Sequence, residues 1–263
     1  MRGCNLRCPY CYNTELVAPD AGAQAQDAAE SGNQSKAQDA GGDDCSQAQK
    51  SGAQAKRDQP QFVSIQDIIA HLKKRANVLS GFVISGGEPL LNPDIVQSLI
   101  LEARSLGYKI KLDTNGMFPD RLQELLSNPA CAPDYVALDV KTAPERYSEL
   151  QAQDAATIKA FQDLNAGGQN LAAQKIVESI KIVSALPAAA REFRTVLYPP
   201  LVGEKEIKEI AKLLPKDARW YFAHFLNGRC LNPEAEKIVP YDEKTEAGLV
   251  ELAQAKIPGA IIR

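Results

Sequence analysis

The sequence predicts an α/β fold, a parallel sheet of about six strands with helices packed outside it. Three observations carry this. Strand and helix signals alternate from Phe62 to the C-terminus, and such alternation builds a parallel sheet. The 263 residues are 44% hydrophobic, which suits one large α/β domain spanning 1–263. The polar residues Gly86, Gly87, Glu88, Asp113, Asp139, Lys141 and His224 fall at or just past predicted strand ends, where barrels and open α/β sheets hold their ligands.

Residues 18–60 stand apart. They contain no Leu, Ile, Val, Met, Phe, Tyr or Trp and cycle through Ala, Gln, Asp, Ser, Gly and Lys. Such a segment buries too little apolar surface to offset its ordering entropy, so a disordered insertion is expected there. Ser64 is placed to cap a helix carrying Ile65, Ile68, Ile69 and Leu72 on one face. His71 falls off that stripe and is expected to be solvated. Residues 82–85 read as a strand ended by Gly86-Gly87-Glu88-Pro89. Asn92 and Pro93 open a second helix, with Val96, Leu99, Ile100 and Ala103 inward and Gly107 as its stop. Strands follow over 109–113 and 135–140, with a short helix near 121–126 between them. Ile158, Phe161 and Leu164 recur at helical spacing, and a firmer helix covers 176–186. Then come a strand at 193–198 halted by Pro199-Pro200, a helix at 204–214, a strand at 220–225, a helix at 242–256 and a short last strand at 259–263.

Composition excludes several classes. A net charge of -3 gives no basis for binding nucleic acid or an anionic membrane surface. No apolar run approaches the ~20 residues that span a bilayer. The first eleven residues contain no apolar core of a secretory signal. Six cysteines in a chain of this kind point to metal ligation rather than a disulfide framework, and a cytoplasmic location is expected.

Three of those cysteines stand within Cys4-Asn5-Leu6-Arg7-Cys8-Pro9-Tyr10-Cys11. The spacing C-x3-C-x2-C supplies three thiolates. A cubane [4Fe-4S] cluster takes four ligands, so one iron would stay open to a small molecule. A zinc site is the main alternative, and it would want a fourth Cys or His at regular spacing, which does not follow. Three close thiols also leave one unpaired in any disulfide scheme. Cys45, Cys131 and Cys230 are scattered and read as ordinary thiols.

This spacing, with aromatic Tyr10 before the third Cys, resembles the signature of the radical S-adenosylmethionine (SAM) enzymes. The Gly86-Gly87-Glu88-Pro89 turn resembles their GGEP motif. The resemblance implies a partial (β/α)6 TIM-like barrel of radical SAM type, in which Cys4, Cys8 and Cys11 hold the cluster and SAM chelates the open iron. An electron then cleaves SAM to a 5′-deoxyadenosyl radical. Tyr10 would lie beside the adenine, and Gly86, Gly87 and Glu88 would orient the methionine end. The runs Leu112-Asp113-Thr114-Asn115-Gly116 and Leu138-Asp139-Val140-Lys141 resemble segments of the glycyl-radical activating enzymes. By that likeness Asp113 and Asp139 bind a monovalent cation near the SAM carboxylate, Lys141 contacts SAM, Arg194 points toward SAM or an incoming peptide, and His224 lies near SAM. The Phe193-Arg194-Thr195-Val196 strand resembles a bacterial subgroup that activates anaerobic ribonucleoside-triphosphate reductase, which becomes the implied partner, with a flavodoxin-like electron donor. A pyruvate formate-lyase-type activator and another radical SAM enzyme are the alternatives within the class. A non-catalytic Fe-S or zinc-binding protein is the alternative outside it. The resemblance covers residues 1–17 and about 62–235. Members of the family carry a strand before the cluster loop, whereas three residues precede Cys4 here, so the barrel is expected to lack the usual first strand.

Overall fold

The computed structural model describes residues 1–17, 63–151 and 169–263. These belong to one compact unit. The insertion expected over 18–60, Cys45, and the helical spacing of Ile158, Phe161 and Leu164 lie outside the described residues.

Six strands form one sheet: β1 (Gly81–Ile84), β2 (Lys109–Thr114), β3 (Tyr135–Asp139), β4 (Arg191–Val196), β5 (Trp220–Ala223) and β6 (Ala260–Ile262). They pair in sequence order, every pair parallel, and the sheet stays open between β1 and β6. This is the parallel sheet that the alternating signals predict, open as the partial barrel implied by the resemblance is. The helices are α1 (Thr14–Val17), α2 (Ile65–Arg75), α3 (Pro93–Ser105), α4 (Pro119–Ser127), α5 (Gln169–Ser184), α6 (Glu204–Leu213) and α7 (Glu243–Gln254). Short 3₁₀ turns at Pro89–Leu91, Pro144–Leu150 and Pro233–Lys237 were not foreseen. Each begins on a proline, whose fixed φ suits the first position of a turn.

The helix boundaries follow local chemistry. Ser64 Oγ accepts from Asp67 N–H at 3.1 Å and caps α2. Asn92 occupies the cap position of α3 without a side-chain cap bond, so here Pro93 alone sets the start. Gly107 follows α3 at φ +86°, a conformation costly for other residues, and its N–H bonds Arg104 O at 2.9 Å. His71 is exposed, as its place off the stripe requires.

Strand alternation divides the residues between two environments. Ile110 and Leu112 of β2, Val136 and Leu138 of β3, Phe193 of β4, and Trp220 and Phe222 of β5 are buried in one hydrophobic core with α3–α7 residues such as Leu99, Leu122, Ile176, Ile210 and Leu249. The alternate positions Lys111, Asp113, Tyr135, Asp139, Glu192, Arg194 and Tyr221 fall on the concave face of the sheet.

The N-terminal segment lies beyond the end of β1. Met1 N donates to Ser85 O at 2.7 Å, Gly87 N to Met1 O at 2.8 Å and Glu88 N to Gly3 O at 2.8 Å. The loop that follows is anchored on its other side, where Arg7 N donates to Leu150 O at 2.7 Å and Leu6 bridges Gln151.

Candidate active site at the carboxyl ends of the strands

A cavity of about 700 Å³ opens at the carboxyl ends of the strands. Every residue singled out from the sequence lines it except Glu88: Cys4, Cys8, Cys11 and Tyr10 on one side, Gly86 and Gly87, then Asp113, Asp139, Lys141, Arg194 and His224. A smaller groove of about 390 Å³ lies outside the sheet between α5 and α6 and contains none of them.

The three thiols come from one loop. Cys11 N donates to Cys8 O at 3.0 Å, and Arg7 Nη1 donates to Cys4 O at 2.7 Å. Burial pushes the Cys4 thiol up to about 12 and the Cys8 thiol up to about 11, so both are protonated without metal. Asn115 Nδ2 stands 3.7 Å from Cys4 Sγ and donates to Asn5 Oδ1 at 3.0 Å. The sequence reading missed this amide, although Asn115 sits inside a run it singled out. Among the described residues, no three His, Cys, Asp or Glu side chains converge on a single ion. A cubane does not ask that of its ligands, because each thiolate binds a different iron.

Glu88 lies beneath the cavity rather than on its wall. It is fully buried and accepts from Leu90 N at 3.0 Å, Thr114 Oγ1 at 2.8 Å and Asn115 N at 2.7 Å. Burial nevertheless lifts its carboxyl to about 7. Glu88 thus ties the turn after β1 to the end of β2 and, through Asn115, to Cys4. The two glycines also have a local reason. A Cβ on Gly87 would sit 2.0 Å from Gly3 O, and one on Gly86, at φ +139°, 2.1 Å from Met1 O. It is the backbone of the N-terminal segment that makes this close approach.

Asp113 and Asp139 do converge on a positive charge, and in this structure that charge is the Arg194 guanidinium. Nη1 donates to Asp113 Oδ2 at 3.0 Å and Nε to Asp139 Oδ1 at 2.7 Å. Asp139 and Arg194 meet because they stand opposite each other in the β3–β4 register. Lys141 Nζ lies 3.4 Å from Asp139 Oδ2. Burial pushes Asp139 up, but Lys141 and Arg194 outweigh it and hold the carboxyl below its ordinary range.

Tyr10 packs against Tyr198 with ring centroids 5.0 Å apart, and Tyr198 against Phe225 at 4.8 Å. The buried Tyr10 hydroxyl has no hydrogen-bond partner, while Asp113 Oδ1 faces the Lys111 ammonium at 3.6 Å. An unpartnered hydroxyl in the cavity wall fits a polar ligand. His224, just past β5, bonds through Nδ1 to Glu246 Oε2 at 2.7 Å. Glu246 had no sequence signal; it reads as an ordinary acid in the first turn of a helix. The cavity thus offers three thiols, a cationic patch and an aromatic wall, a donor set that fits a three-Cys cluster and a charged cosubstrate.

The profile of the Radical SAM superfamily matches residues 1–214. Over 262 residues the chain is 27% identical to a Methanocaldococcus jannaschii protein named "Putative glycyl-radical enzyme activating enzyme", covering 99% of this chain and 85% of that one. It is 29% identical over 113 residues to 7-carboxy-7-deazaguanine synthase of the same organism, covering 40% of this chain and 43% of that one. Among solved structures, archaeal TYW1 matches with a TM-score of 0.45 at 14% identity, over 73% of this chain and 62% of that one.

Proposed function

Because the chain belongs to the radical SAM superfamily, we propose that it is a glycyl-radical activating enzyme. Cys4, Cys8 and Cys11 hold a [4Fe-4S] cluster, SAM occupies the cavity beside them, and a hydrogen atom is taken from a backbone glycine of a partner enzyme. The observation that carries this is the meeting of the three thiols with the Asp113–Arg194–Asp139 bridge in one cavity. When bound, the cluster supplies the electron that cleaves SAM to a 5′-deoxyadenosyl radical. The chain supplies position. Arg194 spends Nε and Nη1 on the two aspartates, which leaves Nη2, together with Lys141, to bind the SAM carboxylate. Tyr10 packs beside the adenine, and the Gly86-Gly87 backbone borders the methionine end. The walls keep water from the reacting atoms.

In this reading the partner is anaerobic ribonucleoside-triphosphate reductase. A flavodoxin-like protein is the electron donor, and the location is the cytoplasm. The name of the M. jannaschii relative supports a glycyl-radical enzyme as the partner, and the likeness of the Asp113, Asp139 and Arg194 segments to reductase activators narrows it to the reductase. The test is anaerobic EPR of the reconstituted, reduced protein mixed with SAM and the same organism's reductase. A glycyl-radical doublet on the reductase is expected. SAM cleavage without a doublet would overturn the assigned partner, and a doublet on a pyruvate formate-lyase instead would reassign it. No cluster signal at all would overturn the activase reading.

A further inference from the structure

Glu246 is a carboxylate for which the SAM reaction has no use, yet it is placed with care. It sits in the first turn of α7, is 5% exposed, and among the described residues has one side-chain partner, His224 Nδ1 at 2.7 Å. A buried carboxylate without a donor costs several kcal/mol, so this contact stabilises the α7 end as well as the ring. An ionised carboxylate only accepts. A 2.7 Å contact with such an acceptor suits an Nδ1–H donor. A neutral imidazole that donates from Nδ1 has its lone pair on Nε2. His224 itself lines the cavity, whereas Glu246 does not.

We propose that Glu246 is a positioning residue: it holds His224 in the Nδ1–H tautomer, leaving Nε2 as a hydrogen-bond acceptor for an N–H or O–H group of the cavity's ligand. This rests on reading the cavity as the SAM site. It adds that the β5 side of the cavity recognises a neutral donor, opposite in character to the cationic Arg194–Lys141 side. A hydroxyl or amine of the nucleoside part of SAM has that chemistry.

The chain has two histidines, His71 and His224, so the tautomer is directly measurable. Ring ¹⁵N shifts of the full, histidine-labelled chain without cluster would be recorded in alkaline solution, where imidazoles are neutral. His71→Gln assigns the two rings. His224 is expected to carry its proton on Nδ1, and Glu246→Leu, which removes the acceptor, is expected to move it to Nε2. A wild-type His224 protonated on Nε2, or an unchanged tautomer in Glu246→Leu, would overturn the proposal. This readout needs no cluster, SAM or partner, so it stands apart from any failure of the activase reading. In the reconstituted enzyme, Glu246→Leu should raise KM for SAM about tenfold, the worth of one hydrogen bond. His224→Asn should do the same, since it keeps a donor for Glu246 but lacks Nε2. A KM within twofold of wild type in both variants would overturn the ligand contact.

Discussion

Replacing Glu88 by Gln tests which force governs the floor of the site. Three donors surround the carboxylate, from Leu90 N, Thr114 Oγ1 and Asn115 N, and each favours the charged form. Complete burial opposes them and wins, lifting the carboxyl from its ordinary 4.5 to about 7. A carboxyl raised in the folded state is more protonated there than in the unfolded chain. Its contribution is fully present below about 4.5 and is lost as pH rises through about 7. At about 1.4 kcal/mol per pH unit between those values, the loss is about 3 kcal/mol. Gln cannot ionise, so wild type minus Glu88→Gln should fall by that amount between pH 4.5 and 8. All other titrating groups cancel in the subtraction. Urea denaturation of both proteins at half-unit pH steps measures it. Parallel curves would show that the three donors hold Glu88 ionised throughout and would refute the argument from burial.

Gly87→Ala should destabilise the chain by about 2–4 kcal/mol. The new Cβ meets Gly3 O at 2.0 Å, and relief requires breaking the three backbone bonds between Met1–Gly3 and the Ser85–Glu88 turn. Denaturant titration gives the stability, and iron content after reconstitution should fall with it, because Cys4 follows Gly3. In the metal-free protein, Cys4 and Cys8 should alkylate slowly. With thiols at about 12 and about 11, their thiolate fractions at pH 8 are about 10⁻⁴ and 10⁻³. An ordinary thiol has about a quarter. Mass-mapped labelling by iodoacetamide at pH 8 and pH 10 should show at least a tenfold rise at both sites. Arg194→Met should cost about 2–4 kcal/mol in denaturant titration by removing both charge-assisted bonds to Asp113 and Asp139. Arg194→Lys should recover less than half of that, since one ammonium cannot span both carboxylates.

Much of this was legible along the chain because local rules sufficed. The six strands announce themselves by apolar runs between turn residues, and all lie within two residues of their predicted bounds. The cysteine loop is a spacing, and spacing survives without a structure. What the sequence could not show depends on elements far apart meeting. Asn115 reaches Cys4 across 111 positions, and His224 reaches Glu246 across 22. Nothing about a Glu in the first turn of α7 marks it as the orienter of a histidine. Glu88 reads as a ligand contact from its motif, and only its three donors place it under the wall. Two aspartates on neighbouring strands need a counter-charge, and only the β3–β4 register reveals that Arg194 supplies one.

That register also explains why an open sheet can bear charge where a closed barrel carries branched apolar layers. Lys111 lies 3.6 Å from Asp113 and 2.9 Å from Glu192, Tyr135 Oη donates to Glu192 at 3.1 Å, and Arg263 lies 3.8 Å from Glu192 while stacking over Tyr221. Each buried carboxylate on the concave face thus has a cation, while much of the apolar core lies between sheet and helices. The lattice runs upward from Glu192 to Arg194 and ends at the cavity. A guanidinium held by two carboxylates is restrained in place. Under the proposed reading its unspent Nη2 and the neighbouring Lys141 would form a fixed anion site, orienting the carboxylate of SAM before any chemistry begins.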